Sequence, residues 1–468
     1  MKFYKNNLKA YTNFLLSKYE MIKGETLVKS YPYYMIIDPS SICQLRCPLC
    51  PTGVENESRR NKQPINFRKR TMMNIDFYNA LIDEVGEYLF LIMFYNWGEP
   101  LLNKELPFFI SRAKKENICT EIHTNLSLRI DDKYMEDLLL SGIDIIAASI
   151  DGFTSKSYQT YRRGGNIELV KENIRRLALM RDRLGLKTDI IWNFLVFSFN
   201  EHEINRIKEY CTEIGVEFNH REAFVSDPEW LPSYRKDEAE KILSSSKIQN
   251  DQKIHGIEFR NKGIRCSWHY SYSVINADGS VSPCCAPWEQ IYDFGVLKPG
   301  NINFMDIWNN NNFRKSRGIF AGMEISGLEQ VNTLCLKCPF DKNIQNLYSY
   351  LDLFVYEQFK HTDFRNDILL QECFVKLEKG YKDDFVEYYQ KYMGILINKS
   401  SIKYPGIINK LLRSIRFIIV LFFHPRQLYI EIKQMAKPYS RKIFEKYPNL
   451  YYIGKKIERW FNVRNNNC

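Results

Sequence analysis

The sequence predicts an α/β fold built on a parallel sheet, followed by a smaller α+β region and a helical, basic C-terminal extension. Three observations support this prediction. Short apolar segments alternate with amphipathic helical patterns between residues 33 and 220, as strands and crossover helices do in parallel sheets. Residues 256–345 contain only short strand signals among Gly and Asn residues. Residues 391–468 carry 16 Lys and Arg against 3 Asp and Glu.

Six strands and five helices are predicted in the first region. The strands are apolar runs bounded by polar or turn residues. We predict strands at Tyr33–Asp38, Phe90–Asn96, Ile118–Asn125, Ile143–Ile150, Asp189–Phe197 and Val216–Asn219. Apolar residues at helical spacing predict helices at Asp76–Tyr88, Lys104–Glu116, Lys133–Leu140, Ile167–Leu184 and Glu201–Ile214. In the α+β region, Asp278-Gly279 predicts a hairpin between Tyr272–Asn276 and Ser280–Pro283.

These patterns define five segments along the chain. We predict an N-terminal helical extension at 1–30 and the parallel α/β domain at 31–225. Residues 226–255 are rich in Pro, Ser, Asp and Lys, which predicts a linker. The α+β domain then occupies 256–345, and the C-terminal extension occupies 346–468.

Composition places the chain among globular proteins. Its 468 residues are 45% hydrophobic, 14% aromatic and 26% charged, which excludes a collagen-like or wholly disordered protein. The longest apolar run, Phe417–Phe423, is far shorter than the roughly 20 residues of a membrane-spanning helix. Lys and Asn interrupt the N-terminal segment where a signal peptide is apolar. We therefore expect a cytoplasmic protein.

Three cysteines lie in the loop after the first predicted strand, in the pattern Cys43-x3-Cys47-x2-Cys50. Three thiolates can hold three irons of a [4Fe–4S] cluster and leave the fourth iron open. A structural zinc site requires a fourth ligand, and residues 40–60 contain no other Cys or His. The pattern therefore favours an iron–sulfur cluster with an open corner.

With this motif, the sequence resembles the radical SAM superfamily. The resemblance implies a partial (β/α)6 barrel of the TIM type and S-adenosylmethionine bound to the open iron. It also implies reductive cleavage of that cofactor to a 5′-deoxyadenosyl radical, which takes a hydrogen atom from the substrate. One position departs from the common pattern, since Leu49 stands before the third cysteine where an aromatic residue is frequent.

Three further segments at predicted strand ends resemble cofactor-binding positions of this family. Gly98-Glu99-Pro100 resembles the motif that contacts the methionine amino group, and a carboxylate facing an ammonium suits that task. The segments at residues 123–125 and 149–152 resemble positions lining the cofactor pocket. Asn and Asp side chains at such places alternatively cap helices or turns. The resemblance implies cofactor contacts from Gly98, Glu99, Pro100, Thr124, Asn125, Ser149 and Asp151.

A second group of cysteines lies in the α+β region. Cys266 and Cys284 flank the predicted hairpin, and Cys335 and Cys338 follow about fifty residues later. Four thiolates suit either a [4Fe–4S] cluster or zinc, and the spacing leaves both open. The region resembles the SPASM or twitch domains of radical SAM enzymes, which implies one auxiliary [4Fe–4S] cluster. The sequence does not decide whether Cys284 or its neighbour Cys285 is the ligand.

The resemblance implies an enzyme of the oxidoreductase or epimerase type, because an auxiliary cluster can support oxidation of a substrate radical. Our preferred substrate is a carbohydrate, with a lipid-linked form among the candidates. The alternatives are a SPASM-type peptide or protein maturase and, from another class, a non-catalytic iron–sulfur protein for electron transfer or binding. An enzyme of this family also requires an external electron donor such as a flavodoxin or ferredoxin.

The basic tail contains one amphipathic segment. Between Ile407 and Phe423, 12 of 17 residues are apolar, and Lys410, Arg413 and Arg416 recur every third residue. This pattern predicts a helix lying at the inner face of an anionic membrane, or else one packed on the barrel with its basic face in solvent. Nucleic acid is not expected as a partner, because the apolar half would have no role.

Overall fold

The computed structural model describes residues 5–223, 228–238, 266–300, 302–323, 335, 338, 350–378, 385, 386 and 389. All of them belong to a compact unit spanning residues 1–394. Most of the predicted linker and the amphipathic tail segment Ile407–Phe423 lie outside the described residues.

The described strands form one sheet in the order β6-β5-β4-β3-β2-β1-β7-β8-β9. The strands are β1 Tyr34–Ile37, β2 Leu91–Phe94, β3 Cys119–Thr124, β4 Ile145–Ser149, β5 Asp189–Val196, β6 Glu217–Glu222, β7 Tyr272–Ile275, β8 Ser280–Ser282 and β9 Gly295–Val296. Strands β1 to β6 run parallel, each paired with the next in chain order. This is the predicted α/β architecture with a parallel sheet core.

Helices connect these strands, and several of them begin at side-chain caps that the sequence supplies. Asn74, Asp131 and Asn166 each accept hydrogen bonds from backbone amides of the first helical turn. The helices are α1 Leu8–Lys23, α2 Pro51–Arg60, α3 Ile75–Val85, α4 Leu106–Lys115, α5 Asp132–Leu140, α6 Ser155–Tyr161, α7 Ile167–Arg183, α8 Ile204–Glu213, α9 Trp268–Ser271, α10 Phe304–Trp308, α11 Asn311–Ala321, α12 Tyr350–Phe359 and α13 Ile368–Glu378.

The two faces of the parallel strands have different surroundings. Ile92, Ile122 and Ile146 belong to the hydrophobic core, which lies between the sheet and the helices. Because side chains alternate along a strand, Glu121 and His123 of β3 point to the opposite face, the interior of the barrel. Both side chains are only partly buried there, at 19% and 28% exposure.

The predicted hairpin is confirmed, and it extends the barrel sheet. Strand β7 pairs parallel to β1 and antiparallel to β8. Gly279 in the turn has φ +83°, and a Cβ there would lie 2.7 Å from the Leu297 carbonyl oxygen, so a larger residue would be strained. The hairpin therefore joins the second cysteine group to the strand that precedes the first. Among the described residues, no helix is long and apolar enough to cross a membrane.

Candidate active site

The first three cysteines lie at the carboxyl end of the parallel strands, where barrel enzymes bind their substrates. Cys43 and Cys47 belong to the loop between β1 and α2, and Cys50 caps the start of α2. All three pack with a small apolar cluster that includes Phe197 and Leu231. The loop thus presents three thiols inside an apolar surrounding.

Helix α2 supports the loop through polar and steric contacts. The Asn56 side-chain amide donates hydrogen bonds to the carbonyl oxygens of Cys43 and Leu45, at 2.8 and 2.6 Å. Gly53 lies against the backbone of Cys47, because a Cβ at Gly53 would be 2.2 Å from the Cys47 carbonyl oxygen. Helix α2 therefore helps to fix the conformation of the loop.

The electrostatics of the thiols suit binding to a cationic cluster. Burial raises the pKa of Cys47 to about 11, although the Arg162 guanidinium favours its thiolate. Burial likewise raises the pKa of Cys43, and the Glu99 carboxylate raises it further. Thiols in such surroundings stay protonated at neutral pH unless a metal replaces the proton. The donor set of three thiols in one loop fits three irons of a [4Fe–4S] cluster.

The segment after β2 is attached to the cysteine loop by its backbone. The Glu99 amide donates to the Ile42 carbonyl oxygen at 2.8 Å. At Gly98, a Cβ would lie 1.5 Å from the Ser40 carbonyl oxygen, so only glycine permits this approach. The two loops are therefore positioned as one unit.

Glu99 occupies the centre of the site. Its carboxylate is 2% exposed and accepts hydrogen bonds from Thr124 Oγ1 at 2.6 Å and from the Asn125 amide at 2.8 Å. Burial raises its pKa to about 6, which these donors partly offset. The Asn125 side chain also donates to Cys43 Sγ at 3.6 Å. The residues predicted from the ends of β2 and β3 thus meet beside the first cysteine.

The second group of thiols forms a separate site beside β7 and β8. Burial raises the pKa of Cys266, and the thiols of Cys335 and Cys338 raise it further. Burial also raises the pKa of Cys284, with contributions from Cys285, Cys335 and Cys266. The four predicted auxiliary ligands therefore lie close enough to interact. Burial also raises the pKa of Cys285, whereas Cys335 and Cys266 contribute to the raised pKa of its neighbour Cys284.

Comparison with known families agrees with both sites. The sequence model of the radical SAM superfamily matches residues 37–211. The model of the SPASM iron–sulfur cluster-binding domain matches residues 266–339. The chain is a radical SAM protein with a SPASM domain. The resemblance noted from the sequence is confirmed, and [4Fe–4S] clusters and S-adenosylmethionine are its cofactors.

The relatives of this radical SAM enzyme act on different substrates. The probable GTP 3′,8-cyclase of Methanococcus maripaludis is 26% identical over 52% of this chain and 81% of its own length. The PqqA peptide cyclase of Granulibacter bethesdensis is 23% identical over 61% of this chain and 76% of its own. The structure of Streptococcus suis SuiB bound to S-adenosylmethionine superposes with a TM-score of 0.42 and 14% identity, covering 65% of this chain and 72% of SuiB.

The remaining predicted cofactor residues lie around the same end of the barrel. Pro100 begins a short buried turn after Glu99, and Ser149 ends β4, paired with Asn193 of β5. The buried Asp151 carboxylate forms an ion pair with Arg162 at 2.6 Å and accepts a hydrogen bond from the Leu195 amide at 2.8 Å. Arg162 is largely buried and interacts with both Asp151 and Cys47.

Among the described residues, no three side chains of His, Cys, Asp or Glu converge as they would around a single metal ion. The thiolates of a [4Fe–4S] cluster need not converge in this way, because each binds a different iron. Both cysteine sites are compatible with clusters in this respect.

Sequence reasoning did not single out Asp38, His269 or Glu121, and it named His123 only within the segment at residues 123–125. Asp38 is fully buried at the end of β1, and burial raises its pKa to about 7 while the backbone amides of Ser40, Trp97 and Gly98 lower it. His269 Nε2 lies 3.3 Å from Cys335 Sγ. His123 Nε2 lies 2.5 Å from Glu121 Oε1 inside the barrel. Polar residues at alternate positions of a buried strand are the sequence signal that could have identified Glu121 and His123 as a pair.

Proposed function

We propose that this radical SAM enzyme oxidises or epimerises a carbohydrate. The main support is the Glu121–His123 pair, which places a carboxylate and an imidazole on the interior face of β3. The ring of Tyr95 packs against His123 with the centroids 4.3 Å apart. Side chains of this kind bind hydroxyl groups and accept protons.

The proposal assigns the two cysteine sites different tasks. Residues 31–225 carry the cofactor site, with Cys43, Cys47 and Cys50 as iron ligands, and residues 256–345 carry the auxiliary site, with four cysteine ligands. When bound, the cluster and S-adenosylmethionine supply a 5′-deoxyadenosyl radical that removes a hydrogen atom from the substrate. Glu99 orients the methionine ammonium, and the apolar residues around the cysteine loop exclude water.

His123 is positioned to take the proton that oxidation releases. Its Nε2–H donates to Glu121, which leaves the lone pair of Nδ1 to accept a proton. His123 directly precedes Thr124 and Asn125, which contact Glu99, so the pair lies next to the cofactor-binding residues. Once a hydrogen atom has been removed from a carbon that bears a hydroxyl group, His123 would accept the hydroxyl proton, and a cluster held by the auxiliary cysteines would accept one electron, which would leave a C=O double bond.

Deuterium transfer tests the proposed substrate class. Reduced, reconstituted protein is incubated with S-adenosylmethionine and with candidate sugars, including lipid-linked ones, that carry deuterium on carbon. We expect deuterium in the 5′-deoxyadenosine product from a sugar. Deuterium transfer only from a labelled peptide or from labelled GTP would reject the carbohydrate proposal.

A peptide or protein substrate is the second candidate. It is favoured by the match to PqqA peptide cyclase, which extends over 61% of this chain. The same deuterium experiment separates the two substrate classes. A protein that forms no 5′-deoxyadenosine with any candidate would be consistent with a non-catalytic role.

We further propose that the basic tail contacts an anionic membrane and that a flavodoxin or ferredoxin reduces the protein. The tail carries 16 basic against 3 acidic residues, which favours anionic surfaces. Flotation with vesicles containing anionic lipid, for the full chain against a truncation at residue 390, tests the membrane contact. Equal flotation of both proteins would reject it.

A further inference from the structure

A fully buried histidine lies beside the auxiliary cysteines. His269 belongs to α9, three residues after Cys266, and is 1% exposed. Its Nε2 lies 3.3 Å from the Sγ of Cys335, which is hydrogen-bonding distance for a sulfur acceptor. None of the functions assigned above uses this side chain.

The surrounding structure holds the imidazole in place. Aromatic rings of Phe294, Phe313 and Phe320 pack around it, with centroids 5.7 to 6.5 Å away. The fully buried Arg317 of α11 donates from Nε to the His269 carbonyl oxygen at 2.9 Å. An imidazole restrained at both its ring and its backbone keeps its orientation toward Cys335.

The hydrogen-bond partners of the ring indicate which nitrogen carries the proton. Among the described residues, His269 Nδ1 has no hydrogen-bond partner. A proton on Nδ1 would therefore be a buried, unpaired donor, and the lone pair of Nε2 would face the sulfur. A proton on Nε2 instead gives the donor a sulfur acceptor and leaves only a lone pair unpaired. The second tautomer is favoured.

We infer that His269 donates an Nε2–H···S hydrogen bond to the Cys335 thiolate and thereby raises the reduction potential of the auxiliary cluster. A donor to a cluster sulfur stabilises negative charge, and the reduced cluster carries more of it. A higher potential makes the auxiliary cluster a better acceptor for the electron of a substrate radical. This inference rests on the proposed presence of a cluster at the auxiliary site.

The test compares His269→Leu, which fills the space without a donor, with His269→Gln, whose amide nitrogen can take the place of Nε2. The control is His202→Leu, because His202 is exposed and precedes Cys266, the first auxiliary cysteine, by 64 residues. Each full-length protein is reconstituted anaerobically, and its iron content is measured. The reduction potential of the auxiliary cluster is then determined by redox titration with EPR detection in the presence of S-adenosylmethionine.

We expect His269→Leu to retain its iron and to show a roughly tenfold smaller reduced-to-oxidised ratio at a given solution potential, equivalent to about 59 mV for a one-electron couple. His269→Gln should recover most of this loss, and His202→Leu should match the wild type. An unchanged potential in His269→Leu would overturn the inference. Loss of the auxiliary iron in both His269 variants would also overturn it, since His269 would then be a ligand. A wild-type protein without auxiliary iron would instead overturn the proposed function.

Discussion

Gly53→Ala should damage the cofactor site through one methyl group. The added Cβ would lie 2.2 Å from the Cys47 carbonyl oxygen and 2.5 Å from the Cys47 amide nitrogen. Ordinary contact needs roughly 3.4 Å, so α2 and the Cys47 backbone must separate by about 1 Å. Overpacking of this kind costs about 1–3 kcal/mol, against about 1 kcal/mol gained from alanine in a helix. We expect a net loss of about 0–2 kcal/mol in the free energy of unfolding.

The more specific effect is on the cluster. A shift of about 1 Å at Cys47 exceeds the roughly 0.5 Å tolerance of a preorganised site, so we expect the variant to retain less than half of the S-adenosylmethionine-responsive EPR signal. Gly185→Ala is the matched control. Gly185 has φ +64°, and apart from its chain neighbours no atom of the described residues lies within 4 Å of the added Cβ. Alanine there therefore costs about 1 kcal/mol of backbone strain without touching the loop.

The two variants should therefore have similar stability in urea denaturation and different cluster content. Full signal in Gly53→Ala, or an equal loss in Gly185→Ala, would refute the reasoning that α2 helps to fix the conformation of the cysteine loop.

Three further predictions concern Glu99, the auxiliary cysteines and Lys5. Glu99→Gln should weaken S-adenosylmethionine binding at least tenfold in equilibrium dialysis without loss of iron, because a buried charged partner of the ammonium is removed; an unchanged Kd would contradict this role. Cys284→Ala should lose the auxiliary cluster, about four irons per chain, whereas Cys285→Ala should retain it; the reverse result would exchange their roles. Burial lowers the pKa of Lys5 to about 7, so between about pH 7 and 10 the unfolded chain holds a proton that the folded chain has released, and stability rises with pH. The stability of the wild type relative to Lys5→Met should therefore rise by about 1.4 kcal/mol per pH unit in denaturation experiments between pH 7.5 and 9; a flat or falling difference would contradict the shift.

The strands were predictable because burial leaves a local signal. Ile146 and its neighbours in β4 form a continuous apolar run, and the structure begins and ends this strand within two residues of the prediction. Helix α2 was missed because its sequence, PTGVENESRR, is largely polar. Contacts with the cysteine loop stabilise this helix, and such contacts leave no signal in the local hydrophobic periodicity.

Long-range relations explain the rest of what was missed. The pairing of β7 with β1 joins segments separated by more than 230 residues, and no local pattern specifies it. Likewise, Cys284 and Cys285 are neighbours in sequence, and no local pattern says which of them interacts with Cys266 and Cys335, the two thiols that help to raise the pKa of Cys284 in the fold. The cofactor loop, in contrast, was predictable from the spacing of its cysteines, because three thiols in one short loop can serve few other purposes.

EPR of the reduced, reconstituted protein before and after addition of S-adenosylmethionine tests the central claim most directly. An open iron at the Cys43, Cys47 and Cys50 site predicts a changed cluster spectrum and formation of 5′-deoxyadenosine. Both responses should disappear when these three cysteines are replaced by alanine, while the auxiliary signal persists. A spectrum that does not respond to S-adenosylmethionine, or a triple variant that still forms 5′-deoxyadenosine, would contradict the account.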